Sequence, residues 1–360
     1  MKKRNGMISL WKFMFSLLIL VHHFFWVKDG NAEHSLFICG AIGVDFFFLV
    51  SGYLLAKKVA SENLRGDTTP LYKSTWKFLI GKVKVFYPYL LISFAVCLAI
   101  QLSAGRWGKM GYLDSVSDLF LIQAITPKSQ RMVGGTWYLS AMMFAMMIVY
   151  PTLKKLGKNF SCIIAPCLVA IAGGTLIYTQ SSLRAWSAWT GIMCMGLAKA
   201  ILEVSLGCFV YECSKYLSKI RFTRFARILL GVLQTGLFAF VFLVNAIYTQ
   251  VRPLDWMFII MLAIGVAIAF SDQIPWQEWS NNKVFAYLER LSTPIYLGNF
   301  IGIGIVNNVA WFQRFPWLER CIIMAGIVIV FAIIELWVVE YLRKRDYSKL
   351  KRLFIKQEKT

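Results

Sequence analysis

The chain has 360 residues, of which 58% are hydrophobic and only 16% charged, with a mean hydropathy of +0.60. Soluble domains carry roughly 45–50% apolar and about 25% charged residues, so a soluble enzyme is excluded, and the length divides better into membrane spans of about 20 residues than into soluble domains. A net charge of +21 would suggest nucleic acid on a soluble protein, but here its placement along the chain decides its meaning.

Apolar windows run over residues 8–27, 36–56, 78–102, 134–151, 160–178, 186–210, 225–247, 254–271, 284–306 and 318–341. They predict an all-α polytopic membrane bundle of about ten transmembrane helices. The first window follows Lys2-Lys3-Arg4 but is too long for a signal-peptide h-region and lacks a small-residue cleavage site, so it reads as an uncleaved span. Alternate loops hold most of the basic residues: Lys57, Lys58, Arg65, Lys73 and Lys77, then Lys154, Lys155 and Lys158, then Lys215, Lys219, Arg221 and Arg224, then the tail from Arg343 to Lys359. The opposite loops hold only Lys28, Arg106, Lys109, Lys128, Arg131, Arg184, Arg252 and Arg314. That asymmetry predicts a multi-pass cell-membrane protein with both termini in the cytoplasm. The charge is then topology, and no nucleic-acid partner is expected. The membrane domain is expected over 1–345, with 346–360 a short basic cytoplasmic tail suited to anionic headgroups.

Ionisable groups inside spans are costly and therefore informative. The first span holds Lys12, His22 and His23. Lys12 and His23 are eleven residues apart, which on a helix is about three turns and about 16 Å along one face. The second span holds Asp45 within Gly43-Val44-Asp45-Phe46-Phe47-Phe48-Leu49-Val50-Ser51-Gly52. The two spans are antiparallel neighbours, so Asp45 is expected within side-chain reach of His23, where a carboxylate would make the imidazole a better base. The segment 103–133, with Trp107, Tyr112 and Asp114, is the longest external one and a candidate lid or acceptor surface. In the sixth span Lys199 and Glu203 are spaced for an intrahelical pair, and Glu335 in the tenth has no evident local partner. Both read as packing or register devices. The eight cysteines include no CxxC pair and read as structural thiols. The three histidines lack neighbours at metal-ligand spacing, so no metal is expected.

The Lys12–x10–His23 spacing followed by the Gly43–Leu55 run resembles the opening signature of the acyltransferase 3 membrane proteins. Tyr87-Pro88-Tyr89, Thr136-Trp137-Tyr138-Leu139, Tyr150-Pro151 and Ser292-Thr293-Pro294-Ile295-Tyr296-Leu297 continue the match in order. The resemblance implies a membrane O-acyltransferase, usually an O-acetyltransferase, acting on surface polysaccharides, lipid-linked sugars, peptidoglycan or antibiotics. It implies His23 as the essential histidine, Lys12 as its basic partner and Asp45 as the acidic residue of the second span. His22 points about 100° away from that face. The implied donor is acyl-CoA, chiefly acetyl-CoA, and the acceptor a hydroxyl of a sugar or polysaccharide at the outer face. Lys57, Lys58, Lys73, Lys77, Lys82 and Lys84 would ring the cytoplasmic mouth for the donor phosphates. Two positions depart from the family. Its two arginines before Tyr-Pro are here Lys82 and Val85, with an additional Lys84, and lysine meets phosphate without the bidentate fork. Its histidine after Tyr-Leu in the ninth span is here Asn299, which cannot titrate. The competing class is a transporter or flippase in which His23 and Asp45 relay protons; the absence of an inverted repeat and the crowding of ionisable groups into the first three spans count against it.

Overall fold

The computed structural model describes residues 4–30, 36–105, 112–126, 132–183, 187–190, 193–249 and 255–357. The chain forms helices α1 (Gly6–His22), α2 (Ile42–Leu64), α3 (Leu71–Ser103), α4 (Tyr112–Phe120), α5 (Thr136–Leu156) and α6 (Ala165–Gln180). These are followed by α7 (Met195–Lys219), α8 (Arg224–Ile247), α9 (Asp255–Ala269), α10 (Gln277–Ser280), α11 (Lys283–Asn308) and α12 (Trp317–Gln357). The strand content among the described residues is one antiparallel hairpin, with Trp189 opposite Cys194 and Thr190 opposite Met193. It occupies the part of the predicted sixth window that precedes α7, so that helix begins later than the apolar run does. The helix starts carry the expected chemistry. The side-chain oxygens of Asn5, Thr223 and Asn282 accept from the third amide beyond each of them, which satisfies a donor that would otherwise be orphaned.

Each predicted window coincides with one long helix: α1, α2, α3, α5, α6, α7, α8, α9, α11 and α12. Among the described residues, seven segments are long and apolar enough to cross a membrane, those of α1, α2, α3, α5, α6, α8 and α12. α9 is apolar but only 15 residues long. α7 falls short because charges interrupt it, Lys199, Glu203 and Glu212 among them, and α11 because its uncharged part holds Ser292, Thr293, Asn299, Asn307 and Asn308. α12 runs from Trp317 to Gln357 and so continues into the expected tail.

The bundle has two distinct ends. At the near end, where the chain begins, Glu289 on α11 binds the base of α1, Asp67 accepts from Lys154 at 2.8 Å, and Arg227 donates to the Gln273 carbonyl. At the far end the Asn307 side chain donates to the Trp26 carbonyl at 2.9 Å, while Arg320 pairs with Asp29. Asp118, within the expected lid segment, pins it to the start of α5. Its carboxylate accepts from Thr136 Oγ1 at 2.9 Å and from the Val133 amide at 2.8 Å. Trp107 lies outside the described residues, as do the side chains of Tyr112 and Asp114.

α2 is the central helix of the bundle, and glycines decide what it touches. A Cβ on Gly43 would meet the Phe15 carbonyl of α1 at 2.7 Å, and one on Gly52 would meet the Val204 carbonyl of α7 at 2.1 Å. Gly207 on α7 reciprocates, its Cβ position being 2.2 Å from the Leu49 carbonyl. Small residues on both partners thus bring the backbones of α2 and α7 together, a common device between membrane helices.

Candidate active site

His23 stands where α1 gives way to a turn of 3₁₀ helix, His23–Trp26. Its Nδ1–H donates to the Ile19 carbonyl at 2.7 Å. A carbonyl can only accept, so this bond fixes a proton on Nδ1, and in the neutral ring it is Nε2 that carries the basic lone pair. The ring lies edge-on to Phe300 of α11, with centroids 5.2 Å apart. His22 turns elsewhere, and its Nδ1–H donates to the Phe37 carbonyl at 3.2 Å.

The carboxylate expected beside His23 is not there. Asp45 is fully buried and binds Lys199 of α7, not the imidazole. Lys199 also pairs with Glu203 at 3.1 Å and donates to the Leu183 carbonyl at 2.9 Å. The expected Lys199–Glu203 pair therefore exists, but as part of a buried three-charge cluster. The reason is angular: Asp45 is two residues, or about 200°, from Gly43, which faces α1, and seven residues, or nearly two turns, from Gly52, which faces α7. Lys12, in turn, donates to Glu289 Oε1 at 2.7 Å, three turns from His23. The same carboxylate accepts from Arg4 Nε at 2.9 Å and from Ser9 Oγ at 2.7 Å. Glu335 likewise has a partner, since Ser93 Oγ donates to it at 3.1 Å.

A cavity of about 730 Å³ opens at the near end between α1, α2, α3, α5, α11 and α12. Its wall carries seven basic side chains (Arg4, Lys12, Lys58, Lys77, Lys82, Arg290 and Arg343) against two acidic ones, Glu289 and Glu340. Arg4 and Lys12 pair with Glu289, Arg290 pairs with Glu340, and Lys58 pairs with Glu62. Among the described residues, Lys77, Lys82 and Arg343 have no carboxylate partner. Lys82 stands over the ring of Phe78 at 5.8 Å. Of the two lysines expected to hold a donor, Lys82 thus lines the cavity, while Lys84 is exposed and does not. Two residues along a helix turn the side chain about 200°. Val85 shares the face of Lys82 and lines the cavity.

Arg343 escapes sequence reasoning, which counts it only as a topology charge. Pro88 inside α3 cannot donate to the Lys84 carbonyl one turn back. Arg343 Nη2 donates there instead, at 3.2 Å, and to the Val85 carbonyl at 2.7 Å. Its guanidinium lies 5.6 Å over the Tyr89 ring. A cation therefore stands beside Val85, where the family places its second arginine.

Tyr138 and Tyr296 line the inner part of the cavity with Val44, Phe47 and Ser51. Tyr138 shares a hydrogen bond with Ser51, and Tyr296 donates to the Gly135 carbonyl at 2.9 Å. Tyr296 is one helical turn before Phe300, the residue against His23, so the cavity ends about one turn below the imidazole. Asn299, buried between them in sequence, donates to the Tyr296 carbonyl at 3.3 Å. The arrangement offers a cation-rich mouth, a corridor lined by tyrosines, and an imidazole beyond its end.

Compared with known protein families, residues 6–336 match the model of the acyltransferase 3 family, described as an acyltransferase domain. No curated protein and no solved structure matches the chain.

Proposed function

Because the chain belongs to the acyltransferase 3 family and is a membrane acyltransferase, we propose that it moves an acetyl group from acyl-CoA at the near end to a sugar hydroxyl at the far end. In this reading the near end is cytoplasmic, as the basic loops require, and the enzyme sits in the cell membrane and modifies a surface or lipid-linked saccharide. The observation that carries the reading is the excess of cations in the near-end cavity. Lys77, Lys82 and Arg343 face it without carboxylate partners among the described residues, and a CoA nucleotide would supply the missing phosphates.

The chemistry needs one proton carrier. The acceptor oxygen attacks the thioester carbonyl carbon as its proton passes to Nε2 of His23. The carbon–sulfur bond breaks, and the CoA thiolate takes the proton back from the imidazolium, leaving an ester, CoA thiol and neutral His23. The Nδ1 bond to Ile19 holds the ring in the tautomer this requires. Asp45 acts at a distance, by fixing α2 against α7 through Lys199. The proton-relay alternative loses its geometry, since no carboxylate among the described residues bonds His23.

Each charge-assisted contact to a phosphate contributes about 1.5–3 kcal/mol. Lys82→Ala is therefore expected to raise the apparent acetyl-CoA constant roughly ten- to a hundredfold, read as CoA release by purified protein at low ionic strength. Release with a parental constant in both Lys82→Ala and Lys77→Ala would remove the cavity from the reaction.

A further inference from the structure

A second, smaller cavity of about 120 Å³ lies at the far end between α3 and α11. It is as polar as the corridor below is apolar, being lined by Gln101, Asn307 and Asn308 around Phe300 and Gly304. Asn307 is committed to structure: its side chain donates to the Trp26 carbonyl at 2.9 Å and accepts from the Lys28 amide at 3.0 Å. Those bonds hold the residues just after His23 onto α11. Asn308 donates to the Gly304 carbonyl at 2.7 Å. Among the described residues its Oδ1, and the whole amide of Gln101, have no hydrogen-bond partner.

Phe300 is common to this pocket and to the His23 contact. The tip of its ring also abuts Gly134, where an added Cβ would come within 2.1 Å of Cζ. The phenyl thus touches a glycine backbone, the imidazole and the amide-lined pocket at once. We propose that this pocket receives the acceptor hydroxyl, and that Phe300 is the partition that keeps it and bulk water from His23 until an acceptor is seated. The proposal rests on the acyl-transfer reading above. Its volume holds a few waters or the hydroxymethyl arm of a sugar, not a whole saccharide. The amides of Gln101 and Asn308 can each bond a hydroxyl on its way in. Excluding water at this point protects the thioester from hydrolysis while the donor waits.

Water itself is the test hydroxyl, so no acceptor need be known. It adds to the acetyl carbonyl as one proton passes to His23. The carbon–sulfur bond breaks, the thiolate takes that proton back, and acetic acid and CoA thiol leave, the acid ionising to acetate in bulk water. Acceptor-free CoA release from acetyl-CoA is measured for the purified full chain, with monodispersity checked by size exclusion. Phe300→Ala is expected to raise release about tenfold. Adding Gly304→Leu, which fills the pocket from α11, is expected to return it to the parental level or below. Phe300→Leu, the gentler truncation, is expected to rise less. A merely structural role for the ring would lower release, not raise it. Release at or below the parental level in monodisperse Phe300→Ala and Phe300→Leu would overturn the partition while leaving His23 as base. Release undiminished in His23→Ala would overturn both readings, whatever the Phe300 variants do.

Discussion

Asp45 lies two residues after Gly43 and seven before Gly52, and those glycines face different helices. Its carboxylate is therefore turned away from α1 and toward Lys199. Removing one member of a buried ion pair leaves an uncompensated charge and costs about 3–5 kcal/mol. Lys199→Met leaves Asp45 and Glu203 facing each other and is expected to lower the thermal midpoint in detergent markedly. Combining it with Asp45→Asn leaves a single carboxyl that can stay protonated and should recover most of the loss. A parental midpoint in Lys199→Met would show the cluster to be dispensable. The importance of Asp45 was legible in the sequence, since a carboxylate inside Phe46, Phe47 and Phe48 needs a partner. The partner was not, because hairpin adjacency favours α1, whereas backbone contact between Gly52 and Gly207 seats α2 on α7. The glycine spacing contained that answer, had the two glycines been assigned to separate faces.

α3 shows what a proline does for a site. Pro88 frees the Lys84 carbonyl, and Arg343 reaches from α12 to occupy it, so two helices become one wall of the cavity. Within α3 the lysines divide by face, Lys82 inward and Lys84 outward. Lys84→Ala is accordingly expected to bind acetyl-CoA like the parent. Arg343→Ala should weaken binding by about tenfold, as Lys82→Ala does. Arg343→Lys should recover little, because an ammonium cannot bond two carbonyls and still present a planar fork to phosphate. Equal affinities for Lys84→Ala and Arg343→Ala would refute this division of α3. Sequence reasoning reached Lys82 through its place before Tyr87-Pro88. It could not reach Arg343, 255 residues further on in the chain, because that contact is tertiary and its charge was already accounted for by topology. Glu289 was within reach, as a carboxylate inside the 284–306 window, and its grip on Arg4, Ser9 and Lys12 explains why the Lys12 position carries a cation.

At the scale of the whole molecule, ten apolar windows became ten long helices, since composition and length suffice to place spans in lipid. What the windows could not show was where the charges of α7 and α11 point: inward, to the Asp45 cluster and to the contacts of Glu289. The resulting bundle has a cationic cavity at one end and an amide-lined pocket at the other. Tyr296 and Phe300, one turn apart on α11, separate them, and His23 stands against Phe300. In the proposed reaction the donor enters from the end bearing Lys82 and Arg343, and His23 serves the transfer. Sealed membrane vesicles of opposite orientation test it directly, with acetyl-CoA supplied only outside and CoA release followed. Vesicles with the cytoplasmic face outward are expected to release CoA, right-side-out vesicles are not, and His23→Ala is expected to abolish release where His22→Ala retains it. Release from right-side-out vesicles, or activity surviving in His23→Ala, would contradict the account.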